Sequence, residues 1–433
     1  MLAVAFLFLL PKLIIAHRTF GTNDVAHWLD FARGIRASGP VSIYSFHFTY
    51  SFYNHPPLIG YYLRALNAAN THLGISLPFG LRAVSSIADV ASALLVFEIV
   101  RRRASLRNAI LAGAGTAASP ILFLVSGFHG NTDPVFVLFV LLAAFLLADK
   151  DRPVLAGCAM AIAISIKIVP VVAIPCLLAY AYRRGRRSLV NFSAGLAGMA
   201  FLIWAPALFT QWPEIKSNVL GYTGGKTHDW GIAEIGRLTN QPGWATYVEG
   251  NGRNLVVAFC ALVPAILVWR NPRVLVQGVA LSLLSFLTLT PTFGVQYMAW
   301  AAAPAFVLGV SAGYAFNLLG GLFLYIIYDR WSRGLPWYRA YASPQVFQDE
   351  RTLGLVVWAV LLAILAVSIR QLARIPSPSG PPPIPTEDSL AHSTATRHRG
   401  AEETPPKAAT AEDLARLPGH RDQPGSSSGS EVL

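Results

Sequence analysis

Asp24 is the residue whose type and position point most clearly to chemistry. It follows the first apolar stretch of the chain, in a loop that we predict to lie outside the cytoplasm. A carboxylate at a membrane surface can act as a general base on a hydroxyl group. The same residue could instead stand in the first turn of a helix capped by Asn23, where an acid favours the helix dipole. The loop is richer in polar and aromatic groups than a cap requires, since it also holds His27, Trp28, Asn54 and His55.

A hairpin predicted on the same side of the membrane carries a second carboxylate. Asp133 precedes Pro134, which is typical of the first turn of a helix and explains this acid without any function. Helix capping explains His129 and Asn131, just before it, less well. We predict that His129, Asn131 and Asp133 face the same surface as Asp24. The residue types alone leave open which of the two carboxylates is the base.

Lys167 lies between two short apolar stretches, on the side of the membrane where positive charge is disfavoured. It could extend toward the interface, or its ammonium group could bind an anion such as phosphate. Gln296 and Tyr297 lie at the same end of a late apolar stretch. Aromatic residues are common at membrane interfaces, so Tyr297 needs no function, but Gln296 is not explained in this way. We predict that Lys167 binds phosphate and that Gln296 and Tyr297 bind substrate.

The elements that must position these residues are helices in a membrane. The chain has 433 residues, of which 54% are hydrophobic and only 13% charged, whereas soluble domains are about a quarter charged. Its apolar stretches are long and continuous, as membrane helices of about 20 residues require, and do not alternate like the strands of a membrane barrel. We predict an all-α polytopic membrane protein with about 12 transmembrane helices.

Arginines indicate the side of the membrane on which each loop lies. Basic clusters occur at residues 101–107, 183–187 and 270–273, and a very short charged loop at residues 149–152. By the positive-inside rule these four loops are cytoplasmic. The rule also accounts for the net charge of +12 without a nucleic-acid partner. Asp24 then lies on the extracytoplasmic face of the cell membrane.

The same topology makes residues 17–78 one large first extracytoplasmic loop. An amphipathic pattern beginning at Pro57, with Arg64 and Asn67 on its polar face, predicts an interfacial helix there. Residues 1–370 are predicted to form the membrane domain. Residues 371–433 are rich in Pro, Ser, Thr and mixed charge, which predicts a disordered cytoplasmic tail.

Together these motifs resemble the GT-C superfamily of integral membrane glycosyltransferases, which use lipid-phosphate sugar donors. An acid in the first outer loop is a hallmark of that superfamily, and Asp24 within residues 21–28 matches it. Residues 53–58 (YNHPPL) look like an element of the dolichyl-phosphate-glucose-dependent glucosyltransferases, although Asn54 and His55 replace the acidic-aromatic pair typical there. Residues 127–134 (GFHGNTDP) are similar to the second outer loop of that group and of related bacterial mannosyltransferases. Residues 165–170 and 293–300 are similar in type and place, and the resemblance runs over about residues 1–328.

The resemblance implies a polyprenyl-phosphate hexose as donor, with mannose the first expectation and glucose the second. Its phosphate would be held by Lys167, assisted by His129 or Arg64. Asp24 would take the proton from an acceptor hydroxyl on a lipid, glycan or protein as that hydroxyl displaces the phosphate with inversion. The residues predicted to bind substrate are His27, Trp28, Asn54, His55, Asn131, Asp133, Gln296 and Tyr297. No metal and no cofactor are expected.

Two other functions fit part of the sequence. A multi-span lipid or sugar transporter or flippase would explain the spans and Lys167, but would favour inverted repeats, which the sequence does not display. A non-catalytic subunit of a glycan assembly pathway would keep the fold without the chemistry. An Asp24→Ala substitution that has no effect on function would favour this last alternative.

Overall fold

The computed structural model describes residues 1–49, 52–222, 230–342 and 348–376, and these residues form an all-helical structure. The helices, in chain order, are α1 Leu2–Arg18, α2 Asn23–Ser42, α3 Pro57–Leu73, α4 Leu77–Arg101, α5 Leu106–Ala117, α6 Pro120–Leu124, α7 Asp133–Ala148, α8 Pro153–Ile166, α9 Ile174–Arg184, α10 Arg186–Thr210, α11 Trp212–Glu214, α12 Ile232–Leu238, α13 Pro242–Glu249, α14 Arg253–Arg270, α15 Leu275–Leu289, α16 Ala299–Leu308, α17 Val310–Ser332 and α18 Gln348–Arg374. Within the described ranges, extended pairing is limited to an isolated bridge between Gly21 and Arg339.

Among the described residues, seven helical segments are long and apolar enough to cross a membrane: Leu77–Arg101, Leu106–His129, Arg186–Thr210, Arg253–Arg270, Pro272–Leu289, Val310–Ser332 and Gln348–Arg374. Three shorter apolar helices, Asp133–Ala148, Pro153–Ile166 and Val295–Leu308, coincide with further predicted spans. The remaining predicted spans fall on α1 and on the region of α9. The predicted class, an all-α polytopic membrane protein, is confirmed.

The loops predicted to be cytoplasmic contact one another in the folded chain. Arg103 donates from Nη2 to Oδ2 of Asp149 at 2.7 Å, which joins the loop after α4 to the loop after α7. Arg184 lies 3.7 Å from a carboxylate oxygen of Asp151. Three of the four loops predicted to be cytoplasmic therefore meet at one end of the helix bundle.

The first long loop is built on α2 and α3. Gly39 breaks α2 with a φ of +89°, just before Pro40. Asn67 is buried rather than on a polar surface, because its Nδ2 donates to the carbonyl of Ala32 at 2.9 Å. The polar face predicted for this helix is wrong at Asn67, since the packing of α3 on α2 turns that residue inward. Arg64 stays exposed.

The predicted tail is only partly described. Helix α18 continues to Arg374, so the predicted boundary at residue 371 falls inside a helix. The remainder of the predicted tail, residues 377–433, lies outside the described residues, and its disorder stays a prediction.

A buried ion pair joins the first helix to the fourth. Nζ of Lys12, on α1, donates to Oδ2 of Asp89, on α4, at 2.7 Å, and both side chains are almost fully buried. An unpaired charge is expensive inside a membrane or a protein core. The pair therefore accounts for the carboxylate of Asp89 within an apolar span as a structural contact.

Lys12→Met is expected to lower the free energy of unfolding by about 3–5 kcal/mol, because it leaves a buried carboxylate without its partner. Adding Asp89→Leu removes the second charge and should recover most of that loss. Thermal unfolding of the purified protein in one detergent measures both variants. If the double variant is as unstable as Lys12→Met, the loss comes from packing and not from the unpaired charge.

Candidate active site

The N-terminus of α2 is anchored to the turn that ends the second long span, Leu106–His129. Thr22, not the predicted Asn23, caps the helix: its Oγ1 accepts from the backbone N–H of Asp24 at 3.3 Å. The same hydroxyl donates to the carbonyl of His129 at 2.9 Å. Nε1 of Trp28 donates to the carbonyl of Gly130 at 3.1 Å. These bonds place the first turn of α2, and with it Asp24, against residues 129–131.

The anchoring turn has an irregular backbone. Residues Val125–His129 form one π-helical turn, a feature frequent at functional sites. Gly130 ends it with a φ of +84°, which L side chains rarely adopt. A Cβ at Gly130 would also lie 2.6 Å from Cγ2 of Val25 on α2. Only glycine therefore allows the turn to approach α2 closely enough for His129 to reach Asp24.

Gly130→Ala is expected to reduce both stability and function, because it combines a positive φ with a clash against α2. The positive φ alone costs about 1–2 kcal/mol. Gly74→Ala is a matched control, since Gly74 is also left-handed, with a φ of +67°, but has nothing within 4 Å of its Cβ position. The unfolding temperature and the activity should fall further for Gly130→Ala. Equal effects of the two variants would argue against a role for the close approach.

Asp24 has one carboxylate oxygen engaged and one available. Its Oδ2 lies 2.9 Å from Nε2 of His129 and accepts from Nδ2 of Asn131 at 3.3 Å. Its Oδ1 makes no hydrogen bond with any described residue, and 35% of the side chain stays exposed. Burial raises the pKa of this carboxyl, but the charge and hydrogen bond of His129, with the charges of His27 and Lys167, outweigh it and lower the pKa. Asp24 is therefore ionised at neutral pH.

Lys167 and Asp133 form the second polar pair of the site. Lys167 lies in extended backbone just after α8, and its Nζ donates to Oδ1 of Asp133 at 2.6 Å. The other oxygen of Asp133 accepts from Nε1 of Trp300 at 2.8 Å. The ammonium also lies 4.7 Å from the ring centroid of Tyr297 and 5.3 Å from that of Trp300, within the range of cation–π attraction. These contacts fix the position of Lys167.

Asp133 does more than begin a helix, and Thr132 is the residue at the cap position of α7. The side chain of Asp133 is fully buried, and its two oxygens accept hydrogen bonds from Lys167 and Trp300. Asp24, in contrast, keeps a free oxygen. Of the two carboxylates that the sequence left as alternatives, the geometry favours Asp24 as the one that meets a substrate.

A cavity of about 540 Å³ brings most of the predicted residues together. Its wall includes Asp24, His27, Trp28, Asn54, His55, Asn131, Lys167, Gln296 and Tyr297. His129 and Asp133 do not line it, because each lies behind the side chain that it contacts. Arg64 lies on the exposed side of α3 and is not part of the cavity wall either. Of the three predicted phosphate contacts, only Lys167 therefore lines the cavity.

The two rings of Trp28 and His55 form one side of the cavity. They stack with centroids 4.4 Å apart, and the carbonyl of His55 accepts from the hydroxyl of Tyr44 at 2.8 Å. Burial and the nearby charge of Lys167 lower the pKa of His55 to about 3, against the opposing effect of Asp24. His55 is therefore a neutral aromatic surface at physiological pH and not a cation.

Three residues of the site were not identified from the sequence. Arg253, the first residue of α14, lines the cavity and donates from Nη2 to the carbonyl of Tyr222 at 2.9 Å. Tyr222 also lines the cavity, and its hydroxyl bonds the side chain of Asn54. Tyr328 on α17 bonds Nδ1 of His129 at 2.8 Å. In the sequence, an arginine at the edge of an apolar stretch and two tyrosines look like ordinary interfacial residues.

No group of three or more His, Cys, Asp and Glu side chains that could hold a metal ion occurs among the residues that the structure describes.

A match to one protein family supports the predicted resemblance over part of the chain. The family model described as dolichyl-phosphate-mannose-protein mannosyltransferase matches residues 54–209. The crystal structure of the Archaeoglobus fulgidus oligosaccharyltransferase in the apo form aligns with a TM-score of 0.41 and 14% identity, over 93% of this chain and 58% of that chain. The chain thus spans little more than half the length of that protein. No curated protein matches the chain.

The match links residues 54–209 of this all-α polytopic membrane protein to a glycosyltransferase family, and it does not extend over the rest of the chain. The matched segment begins at Asn54 and includes the hairpin with His129, Asn131 and Asp133, and it also includes Lys167. Asp24 lies before the matched segment.

Proposed function

We propose that the protein transfers a hexose from a polyprenyl-phosphate donor to an acceptor hydroxyl, with Asp24 as the general base. The reaction takes place on the extracytoplasmic face of the membrane and inverts the anomeric carbon. The name of the matching family makes mannose the first donor sugar to test, with glucose second. The acceptor is a lipid, glycan or protein hydroxyl.

The state of Asp24 carries this proposal. Two donors hold Oδ2, while Oδ1 has no partner among the described residues and the side chain borders the cavity. A base must be fixed in place yet keep a free lone pair for the proton that it removes. A lowered pKa keeps the carboxylate in its basic form at neutral pH.

Positive charge at the cavity suits the phosphate of such a donor. Lys167 and Arg253 both line the cavity. Lys167 is paired with Asp133, but Arg253 makes its described hydrogen bond to a backbone carbonyl, which leaves its charge uncompensated by that contact. Cations that hydrogen-bond a phosphate also stabilise it as a leaving group. We assign the phosphate to these two side chains, and not to His129 or Arg64.

The remaining wall suits a sugar ring. Trp28 stacks on His55, and Tyr297 stacks on Trp300 with centroids 4.1 Å apart, and all four residues line the cavity. Asn54, Asn131 and Gln296 add amide groups that can bond hydroxyls. Aromatic surfaces with a few placed polar groups are typical of small-molecule sites.

The proposed step conserves atoms and charge. The acceptor oxygen forms a bond to the anomeric carbon, while the bond from that carbon to the phosphate oxygen breaks. The proton of the acceptor hydroxyl passes to Oδ1 of Asp24. The polyprenyl monophosphate leaves beside Lys167 and Arg253. One direct displacement inverts the configuration of the carbon.

The test is transfer of label from polyprenyl-phosphate mannose and polyprenyl-phosphate glucose, each radiolabelled in the sugar. Membranes containing the protein are compared with membranes that lack it. New labelled product from either donor supports the proposal and names the sugar. Protein-dependent movement of the labelled lipid across vesicles, without a new product, would instead indicate a transporter. If neither a labelled product nor movement of the labelled lipid is detected, the result would indicate a non-catalytic subunit.

A further inference from the structure

Tyr328 has no role in the reaction proposed above, yet its hydroxyl reaches the site from the far side of His129. It lies on α17, fully buried, with its oxygen 2.8 Å from Nδ1 of His129. The rings of Phe128, Trp331 and Trp337 surround it. Among the described residues, His129 is the only hydrogen-bond partner of this hydroxyl. A buried tyrosine hydroxyl needs one partner, and here that partner is the ring that holds Asp24.

The two nitrogens of His129 have different neighbours, which decides where its proton must lie. Nε2 lies 2.9 Å from Oδ2 of Asp24. An ionised carboxylate only accepts hydrogen bonds. Nε2 must therefore carry a hydrogen if it is to form a hydrogen bond with Asp24. When the ring is neutral, Nδ1 is then an acceptor, and the hydroxyl of Tyr328 donates to it. The carboxylate of Asp24 disfavours the other tautomer, which would set a lone pair against it, and the hydroxyl of Tyr328 satisfies Nδ1 in the tautomer that remains.

We propose that Tyr328 is a positioning residue for the base: its hydroxyl donates to Nδ1 of His129 and so holds Nε2–H on Oδ2 of Asp24. Oδ2 is then occupied, and Oδ1 stays available for the acceptor hydroxyl. Three distant segments form this chain of contacts, namely the start of α2, the π-helical turn and α17. The inference deepens the proposed function and rests on it for the role of Asp24.

The other ionisable groups near the contacts of Asp24, His129 and Tyr328 have different partners. His27 and Lys167 lie on the cavity side of Asp24 and favour its ionised form. Arg82, packed behind the turn, contacts the carbonyl of Phe128 at 3.4 Å and the hydroxyl of Thr19 at 2.8 Å. Asp329, next to Tyr328 in sequence, accepts from Nε1 of Trp337. None of these bonds engages Nδ1 of His129, which leaves Tyr328 as its partner.

Tyr328→Phe removes only the hydroxyl and is the variant that tests the proposal. We expect kcat to fall roughly tenfold to a hundredfold, by analogy with the loss of the hydrogen-bond partner of a metal-bound histidine. The KM for the donor should change little, because the donor does not contact Tyr328. The acidic limb of the pH profile should move to higher pH, since Asp24 loses a hydrogen bond that favours its ionised form.

Tyr314→Phe is the matched control. Tyr314 lies on the same helix, and its hydroxyl donates to the carbonyl of Leu111 at 3.0 Å, away from the cavity. It should keep the wild-type kcat and pH profile. In a His129→Ala background, Tyr328→Phe should have no further effect, because it acts through that ring. Wild-type kcat and pH profile for Tyr328→Phe would overturn the proposal, as would a full additional effect in the His129→Ala background.

A second measurement does not depend on turnover. Nitrogen NMR of the protein labelled with ¹⁵N-histidine distinguishes the tautomers, and the His129 signals are those missing from His129→Gln. At a pH where the ring is neutral, we expect a proton on Nε2 and none on Nδ1 in the wild type, and a larger share of the Nδ1–H tautomer in Tyr328→Phe. A proton on Nδ1 of the neutral ring in the wild type would overturn the proposal. If no transfer is detected but this tautomer is found, the proposed function fails and the positioning contact stands.

Discussion

Asp24→Asn is expected to reduce transfer about 10²- to 10⁴-fold, the range attributed to a positioned general base. Asn keeps the size of the side chain and can still accept from Asn131 or His129 through its oxygen. It cannot take a proton at neutral pH. The fall should therefore appear in kcat, with the folded protein and its donor affinity largely kept.

Asp30→Asn controls for the loss of one negative charge on the same helix. Asp30 is an exposed residue of α2 that pairs with Arg33 one turn later. Exposed pairs of this kind contribute little, so transfer should stay near the wild-type rate. The comparison uses purified variants with equal unfolding temperatures. Asp24→Asn with more than about a tenth of wild-type kcat would remove Asp24 from the role of base.

The sequence was sufficient to predict the all-α membrane class, most of the spans and several residues of the cavity wall. Hydropathy records which segments enter a membrane, because every turn of such a helix must be apolar. Arginine placement then sorted the loops, so that Asp24, Asn131, Lys167 and Gln296 were expected on one side. The structure places all four in the wall of one cavity. Sidedness and motif order thus carried the prediction, without any knowledge of contacts.

The contacts themselves could not be predicted, for a physical reason. Whether His129 binds a ligand or holds Asp24 depends on a hydrogen bond between residues 105 positions apart. The role of Asp133 likewise depends on distant residues, because its two oxygens accept hydrogen bonds from Lys167 and Trp300. The resemblance implied that Arg64 assists at the phosphate, but Arg64 lies on the exposed side of α3. The rotation of that helix is set by its packing on α2, where Asn67 turns inward. Helix periodicity predicts that a polar face exists, and only the neighbouring helix determines where it points.

The last prediction separates two roles of Lys167, which binds Asp133 and faces the cavity. Lys167→Met alone is ambiguous, because it also leaves a buried carboxylate unpaired. Adding Asp133→Asn removes that carboxylate, and the amide oxygen of Asn can still accept from Nε1 of Trp300. The double variant therefore keeps the charge balance of the pair but lacks the cation at the cavity.

If Lys167 binds the donor phosphate, kcat/KM for the donor should fall roughly tenfold to a hundredfold in the double variant, as expected for a lost charged hydrogen bond of about 1.5–3 kcal/mol. Lys150→Met, which removes a lysine from a predicted cytoplasmic loop, should leave kcat/KM unchanged. The structural alternative predicts the opposite: if Lys167 only neutralises Asp133, the double variant should recover wild-type kcat/KM while Lys167→Met alone remains unstable. Donor titrations of these variants decide between the two roles, because the buried charge is absent from the double variant whichever role is correct.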